Sequence, residues 1–187
     1  SAHSATTLDD GRVMIAGGSF TSLQVTMFAD EQFADQATIL TPRLDHTATK
    51  LADGRVVIAG GQRQNGTREP AIEIFNPATN TSTAAGVLQN ARDEHHAVLL
   101  ADGRILFAGG DTKNAIEAEL YNPATQTSVA TGAMVLHRAR GTATLLPDGR
   151  VLFIGGSGSL PSAEIFNPAP GTFQAASNSP LLLRFNH

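Results

Sequence analysis

Apolar residues in this chain come in short runs of about four, bounded by turn-forming clusters, and no stretch of ten or more carries convincing helical spacing. Val13 to Ala16, Val56 to Ala59, Ile105 to Ala108 and Val151 to Ile154 are the clearest runs. None alternates cleanly between apolar and polar, which suits strands covered on both faces. Each run follows an Asp-Gly-Arg tripeptide, starting at Asp10, Asp53, Asp102 or Asp148, and each ends on a Gly-Gly pair. The Asp-Gly element predicts a tight hairpin, because glycine accepts the positive φ that such turns require. Around the second copy the pattern reads as four strands: His46 to Leu51, Arg55 to Ala59, Ala71 to Phe75 and Thr81 to Ala85.

The tripeptides are spaced 43, 49 and 46 residues apart, and other features repeat in step with them. Three copies carry Glu-apolar-aromatic-Asn-Pro, from Glu73, Glu119 and Glu164; the first copy has Thr26-Met27-Phe28-Ala29-Asp30 there and keeps only the aromatic. Seven residues before each tripeptide stands His3, His46, His95 or Gly141, and three residues earlier again stands Arg43, Arg92 or Arg138. The unit is an antiparallel meander of about 46 residues that cannot bury both faces alone, so copies must stack. Radial stacking of four-stranded sheets gives a β-propeller, and the expected fold class is all-β. The expected blades span roughly 1–42, 43–91, 92–137 and 138–183 of a single propeller domain or segment, with 184–187 opening a further motif.

The string Arg-x-x-His-x-Ala-x-x-Leu-x-Asp-Gly-Arg-Val-x-Ile-x-Gly-Gly followed by Glu-Ile-Phe-Asn-Pro closely resembles the kelch repeat, in the form found in galactose oxidase-like propellers. The resemblance runs over essentially the whole chain. It implies that the strand opened by Arg-x-x-His lines a central axis and that the fourth strand is outermost. Such repeats usually carry Trp or Phe on the outer strand after the Asn-Pro turn, where this chain has Ser82, Ser128 and Phe173. Because propellers of this family usually have six or seven blades, the resemblance implies a segment of a longer protein; a closed four-bladed ring and self-association into a larger ring are the other arrangements. Galactose oxidase chemistry uses copper held by two Tyr and two His, with one Tyr linked to a Cys. This chain has no Cys and one tyrosine, Tyr121, in the place that Phe75 and Phe166 fill in sister copies, so this stretch cannot perform that oxidation. Nor does a free Tyr remain for a sialidase-type nucleophile. No catalytic residue and no cofactor are assigned.

A net charge of −4 with no Lys/Arg run argues against nucleic acid as a partner, and no apolar run approaches the roughly 20 residues a membrane helix needs. The absence of cysteine excludes disulfides and thiolate chemistry. Two Asn-x-Ser/Thr sequons, at Asn65 and Asn80, are short enough to arise by chance in a Thr-rich chain. The compartment stays open, with extracellular or cell-surface placement the leaning.

The end of the sheets where the inner strand begins would gather Arg43, Asp45, His46, Arg92, Asp93, Glu94, His95, His96, His137, Arg138 and Arg140 as binding candidates, together with the loop Gln62 to Pro70. A collection of Arg and His favours carboxylates or other anions. Repeated positions, namely Arg43, Arg92, Arg138, His46 and His95, are better explained as hydrogen-bonding a neighbouring sheet or a loop carbonyl. Asp45, Asp93, Glu94, His96, Asp111, His137 and Arg140 break the repeat and are the stronger ligand candidates. Asp93-Glu94-His95-His96 invites a metal, but neighbours on a strand point to opposite faces, so no metal site is assigned. The expected function is a non-catalytic binding scaffold for a protein partner, with a glycan as second candidate. The alternative is a propeller segment of a larger galactose oxidase-like enzyme whose catalytic residues lie elsewhere.

Overall fold

The structure, a computed structural model, describes residues 2–112, 116–156 and 163–176, without the side chains of residues 35 and 36. The Arg184 to His187 motif lies outside the described residues. Every regular element among the described residues is a strand. The first sheet runs β1 (His3–Thr7), β2 (Val13–Gly17), β3 (Gln24–Ala29), β4 (Gln32–Thr38), and the second β5 (Thr47–Lys50), β6 (Val56–Ala59), β7 (Ala71–Asn76), β8 (Thr81–Val87). Two-residue strands β9 (Arg92–Asp93) and β12 (Asp111–Thr112) flank the third sheet's inner hairpin. That sheet is β10 (His96–Leu99), β11 (Ile105–Ala108), β13 (Ala118–Asn122), β14 (Thr127–Ala130). The fourth is β15 (Thr142–Leu145), β16 (Val151–Ile154), β17 (Ala163–Asn167), β18 (Thr172–Ala175). Of the five sheets among the described residues, the four four-stranded ones are antiparallel meanders in which strand order follows chain order.

The chain divides into two compact units, Ser1–Asp93 and Glu94–His187, each holding two of these sheets. In the first unit, Met14, Ala16, Val25 and Met27 of the first sheet share a core with Val56, Ile58 and Phe75 of the second. In the second unit, Leu106, Ala108, Ala118 and Leu120 share a core with Val151, Phe153 and Phe166. The registers build these cores: Val56 lies opposite Phe75, and Val151 opposite Phe166, so one face of each of these sheets carries an aromatic and a β-branched residue together. Complete burial of a side chain such as Phe166 contributes on the order of 2–3 kcal/mol.

Turn chemistry explains where the sheets differ. In the second and third sheets Asn76 and Asn122 accept backbone N–H bonds from Ala78 and Ala124, an Asx turn that closes the third strand onto the fourth. The first sheet lacks Asn-Pro, and Asp30 and Glu31 instead form a two-residue turn, with φ of 50° and 61°. Two consecutive positive φ values are the signature of the hairpin turn that matches the twist of a strand pair. This shorter turn brings Phe33 opposite Phe28, ring centroids 4.8 Å apart, so the first sheet has an aromatic on its fourth strand. Phe173 does the same in the fourth sheet, 4.8 Å from Phe166 and 5.6 Å from Phe153. The corresponding partners of Phe75 and Tyr121 are Ser82 and Ser128.

Candidate functional site

Arg-x-x-His segments enter the first strand of the second and third sheets, and Arg138-Ala139-Arg140-Gly141 enters that of the fourth. The repeated arginines reach no solvent: Arg43 and Arg92 are 0% exposed and Arg138 is 3% exposed. Arg43 spends its planar set of donors inside its own sheet. Nη2 donates to Glu73 Oε1 at 2.9 Å, Nη1 to the Gly60 and Ala71 carbonyls at 2.9 Å each, and Nε to the Thr41 carbonyl at 3.2 Å. Glu73 uses its second oxygen to accept the Leu40 N–H at 2.7 Å. The fourth sheet repeats the device: Arg138 Nε donates to Glu164 Oε1 at 2.6 Å and Nη1 to Gly155 O at 2.7 Å, while Val135 N–H donates to Glu164 Oε2 at 2.7 Å. The Arg of one motif and the Glu of the other thus lock the incoming loop to the third strand. Burial raises the Glu73 carboxyl above its ordinary value while Arg43 pulls it down. Arg92 donates from Nε to the Asn90 carbonyl at 3.2 Å.

His46 is buried, and its Nε2 lies 2.8 Å from Ser4 Oγ of the first sheet. A β-carbon on Gly17, whose φ is +70°, would fall 2.8 Å from the Arg43 carbonyl oxygen and would also strike the His46 ring, so the Gly-Gly pair is what admits this approach. His95 and His96 are buried as well, and they point apart: His95 meets Phe107 edge-on and His96 meets Phe153 edge-on, each with centroids 5.6 Å apart. The four-residue run Asp93 to His96 therefore does not converge, and among the described residues no three His, Asp or Glu side chains come together as a metal-binding group. Burial drops both His46 and His96 to about 4, helped at His46 by Arg43 and His3 and at His96 by Arg138. Asp93 is buried too and pairs with Arg68 at 2.9 Å.

Asp45, Glu94 and Arg140 occupy one repeat position, immediately before the His or Gly, and all three have left-handed backbone, with φ of 54°, 54° and 59°. Their backbones link neighbouring sheets: Asp45 N–H donates to the Ala2 carbonyl at 3.1 Å, and Arg140 N–H to the Glu94 carbonyl at 3.2 Å. Glu94 and Arg140 side chains form an ion pair, and the Arg140 side chain is 59% exposed. His137 is exposed, with Nε2 3.2 Å from the Gly110 carbonyl, and Asp111 is exposed at the start of β12. Of the predicted set, then, Asp45, Glu94, His137 and Arg140 are at least partly accessible at the strand ends, whereas Arg43, His46, Arg92, Asp93, His95, His96 and Arg138 are built into the packing.

Loop 62–70, also expected at this end, is tied down by its own contacts. Gln62 bridges to both Leu44 and Arg68, and Arg63, 48% exposed, pairs with the buried Glu69 at 2.5 Å. Burial acts to raise Glu69, but the Arg63 bond, the Ala71 N–H and Arg43 outweigh it and hold the carboxyl below its ordinary value. Asn65 accepts from Thr67 N–H and Oγ1 at 3.1 and 2.7 Å at the exposed loop tip.

The clefts lie at the opposite end of the strands. One of about 380 Å³ is lined by Asp102, Arg104, Asp148, Arg150, Asn167 and Pro168, and a shallower one of about 540 Å³ borders Leu145 to Gly149. In each turn the Asp is paired with the Arg two residues on, at 2.6 Å for Arg104 and 2.7 Å for Arg150, so the charges of the cleft are already matched locally. Tyr121 is fully buried, 6.2 Å from the Phe107 ring centroid, and serves as a packing aromatic.

Fold and site together define an all-β protein of repeated antiparallel four-stranded sheets in which the buried pairs Arg43–Glu73 and Arg138–Glu164 join incoming loops to third strands. Among solved structures the chain is similar to one described as "Structure of YjhT", with a TM-score of 0.75 and 15% identity over 96% of this chain and 67% of that one. At that identity the likeness concerns the fold. No protein-family model matches the chain, and no curated protein matches its sequence.

Proposed function

We propose that the chain is a run of four kelch-type β-propeller blades, of the galactose oxidase-like kind, acting as a non-catalytic binding scaffold for a protein partner. In each unit the contact surface is the end of the sheets where the inner strand begins, carrying Asp45 and loop 62–70 in the first unit and Glu94, His137 and Arg140 in the second. The observation that carries this reading is the left-handed backbone shared by Asp45, Glu94 and Arg140, three different non-glycine residues at one repeat position. Such conformations cost on the order of 1–3 kcal/mol and concentrate at functional sites. The buried arginines and histidines explain themselves as structure, which leaves the variable, accessible residues to meet a partner. A glycan is the weaker candidate because the exposed residues at this end are charged rather than aromatic.

The test is a triple substitution, Arg68→Ala, Glu94→Ala and Arg140→Ala, assayed beside the unaltered chain for capture of proteins from extracellular extracts and for binding on a glycan array. A protein captured by the unaltered chain and released by the triple variant supports the proposal. Equal capture by both would move the contact surface to the clefts at the Asp-Gly-Arg turns.

A further inference from the structure

The backbone frame of the Asp-Gly-Arg turn recurs a fifth time, with other side chains, at the tip of loop 62–70. In the four repeats the N–H of Leu8, Leu51, Leu100 or Leu146 donates to the carbonyl of the Arg four residues on, at 2.8 Å each, and the glycine N–H returns to the leucine carbonyl at 2.9 to 3.2 Å. In the loop, Arg63 N–H donates to the Thr67 carbonyl and Gly66 N–H to the Arg63 carbonyl, both at 2.9 Å. Gly66 has a φ of 77°, beside 84° to 86° in Gly11, Gly54, Gly103 and Gly149. Asn65 thus stands where the Asp stands and Thr67 where the Arg stands, and residues 63–67 are all exposed.

An Asn or Asp side chain followed by glycine can be attacked by the next backbone nitrogen, because glycine has no side chain to shield it. The nitrogen bonds to Cγ, negative charge develops on Oδ1, and the other substituent of Cγ must leave. The five turns treat these steps differently. In the Asp turns the Arg N–H donates to Oδ1 at 3.0 to 3.1 Å and the guanidinium Nε to Oδ2 at 2.8 to 2.9 Å. Oδ2 can leave as water only once protonated, and the Arg side chain opposes this by holding each carboxyl below its ordinary value. In the Asn turn both donors of Thr67 go to Oδ1, the N–H at 3.1 Å and the Oγ1–H at 2.7 Å. Two donors on the oxygen where charge develops stabilise the tetrahedral intermediate as an oxyanion hole does. They also leave the departing amide nitrogen open to water.

We propose that Asn65-Gly66 is a site of spontaneous deamidation by water, and that the arginine of each Asp-Gly-Arg turn protects its aspartyl-glycyl bond from the same chemistry. The bond from Gly66 N to Asn65 Cγ forms, the proton of that nitrogen passes to water, and the Cγ–Nδ2 bond breaks with loss of ammonia. One water then opens the five-membered imide at either carbonyl. Opening at one leaves an ordinary aspartyl residue at position 65; opening at the other leaves an isoaspartyl residue, through whose Cβ and Cγ the main chain now runs. The sum is one water in and one ammonia out, with no change of oxidation state. The Gly66 N–H must first leave the Arg63 carbonyl, a step common to all five turns that does not set the difference between them. Either product adds a negative charge at the loop tip. The isoaspartyl form also lengthens the backbone between Arg63 and Thr67, disrupting the pairing that sets Arg63 against the buried Glu69. The reaction depends on the turn alone and proceeds whether or not the loop binds a partner.

Peptide mapping by mass spectrometry, on the purified chain kept folded in mildly alkaline buffer, tests the proposal. The segment around Asn65 should gain one mass unit and separate into aspartyl and isoaspartyl forms, ahead of Asn80 and Asn90; Asn76 and Asn122 precede proline, which has no N–H. Thr67→Val keeps the backbone N–H and loses the hydroxyl, and should slow the gain about fivefold, the worth of one exposed hydrogen bond. Arg150→Ala should raise isoaspartate at Asp148 above the parent, with Asp53 in the same sample unchanged. An Asn65 that stays intact in the folded chain, or that reacts equally fast in Thr67→Val, overturns the assignment of the site. An Asp148 indifferent to Arg150→Ala overturns the protective role of the arginine.

Discussion

Lowering the pH from 7 to 4 should weaken the second unit mainly through one side chain, His96. Its ring is 8% exposed, lies edge-on to Phe153, and burial drops it from 6.5 to about 4, with Arg138 adding to the effect. Because the folded ring resists protonation while the unfolded one accepts it near 6.5, His96 leaves stability at its full value above 6.5 and erodes it as the pH falls toward 4. The slope is about 1.4 kcal/mol per pH unit, and the total over that interval about 3 kcal/mol. That is a large part of the roughly 5–15 kcal/mol that holds an ordinary domain together. The first unit should respond in the same direction through His46, but there burial raises the Glu73 carboxyl, which opposes the loss, and Glu69, held low, adds its own loss only below about its ordinary value.

The second unit is therefore the cleaner case, and Tyr121, the sole tyrosine, is buried within it and reports its unfolding by fluorescence. Urea titrations at steps of pH between 7 and 4 should give the slope above for the unaltered chain and a flat profile for His96→Leu. Because Nε2 of His96 is buried with no hydrogen-bond partner, the leucine variant should match or exceed the parent at pH 7. Parallel profiles for the two proteins across that interval would refute the reasoning.

Glu164→Gln leaves Arg138 charged and buried without its counterion, and thermal or urea unfolding should show a loss of about 3 kcal/mol, whereas Arg150→Ala, in an exposed turn pair, should cost under about 1 kcal/mol. Arg140→Gly removes the left-handed strain of a non-glycine residue and, the lost ion pair being exposed, should raise stability by about 1 kcal/mol in the same assay. Hydrogen exchange should be fastest in β14, whose residues are mostly exposed and whose Ser128 supplies no aromatic anchor, and slowest in β11, whose four residues are all buried.

Much of this structure was legible from pattern alone. The four apolar runs after Asp-Gly-Arg fall within β2, β6, β11 and β16, and the strands read from the second copy match β5 to β8 within two residues at each end. The pairing of Arg43 with Glu73 was visible only as two motifs that recur together. A signal did exist, because Glu73, Glu119 and Glu164 recur in the same copies that carry Arg43, Arg92 and Arg138. Phe33 is not readable as an outer-strand aromatic from the repeat, because counting from the aromatic of the third strand assumes the longer Asn-Pro turn, and the Asp30-Glu31 turn moves the fourth strand closer in sequence. Burial of His96 and Asp93 was hidden as well: their types suggest an exposed cluster, and only the packing of Phe153 and the ion pair with Arg68 show otherwise.

The left-handed position before each inner strand has a structural cause that sharpens its functional reading. Turning the chain there aims the Asp45 N–H at the Ala2 carbonyl and the Arg140 N–H at the Glu94 carbonyl, so the strain is offset by a backbone bond that joins two sheets. A backbone bond does not depend on the side chain, and glycine would serve it with least strain. The position nevertheless carries Asp, Glu and Arg, and the Glu94 and Arg140 side chains pair across the sheets while leaving the guanidinium largely exposed. Conformation at this position is thus set by sheet assembly, the Glu94–Arg140 ion pair adds a side-chain link to the same joint, and the exposed part of the Arg140 guanidinium is what the proposed binding role would use. Arg140→Gly separates the two: it should keep or strengthen the sheets and abolish partner capture, and retention of capture in that variant would return Arg140 to a purely structural role.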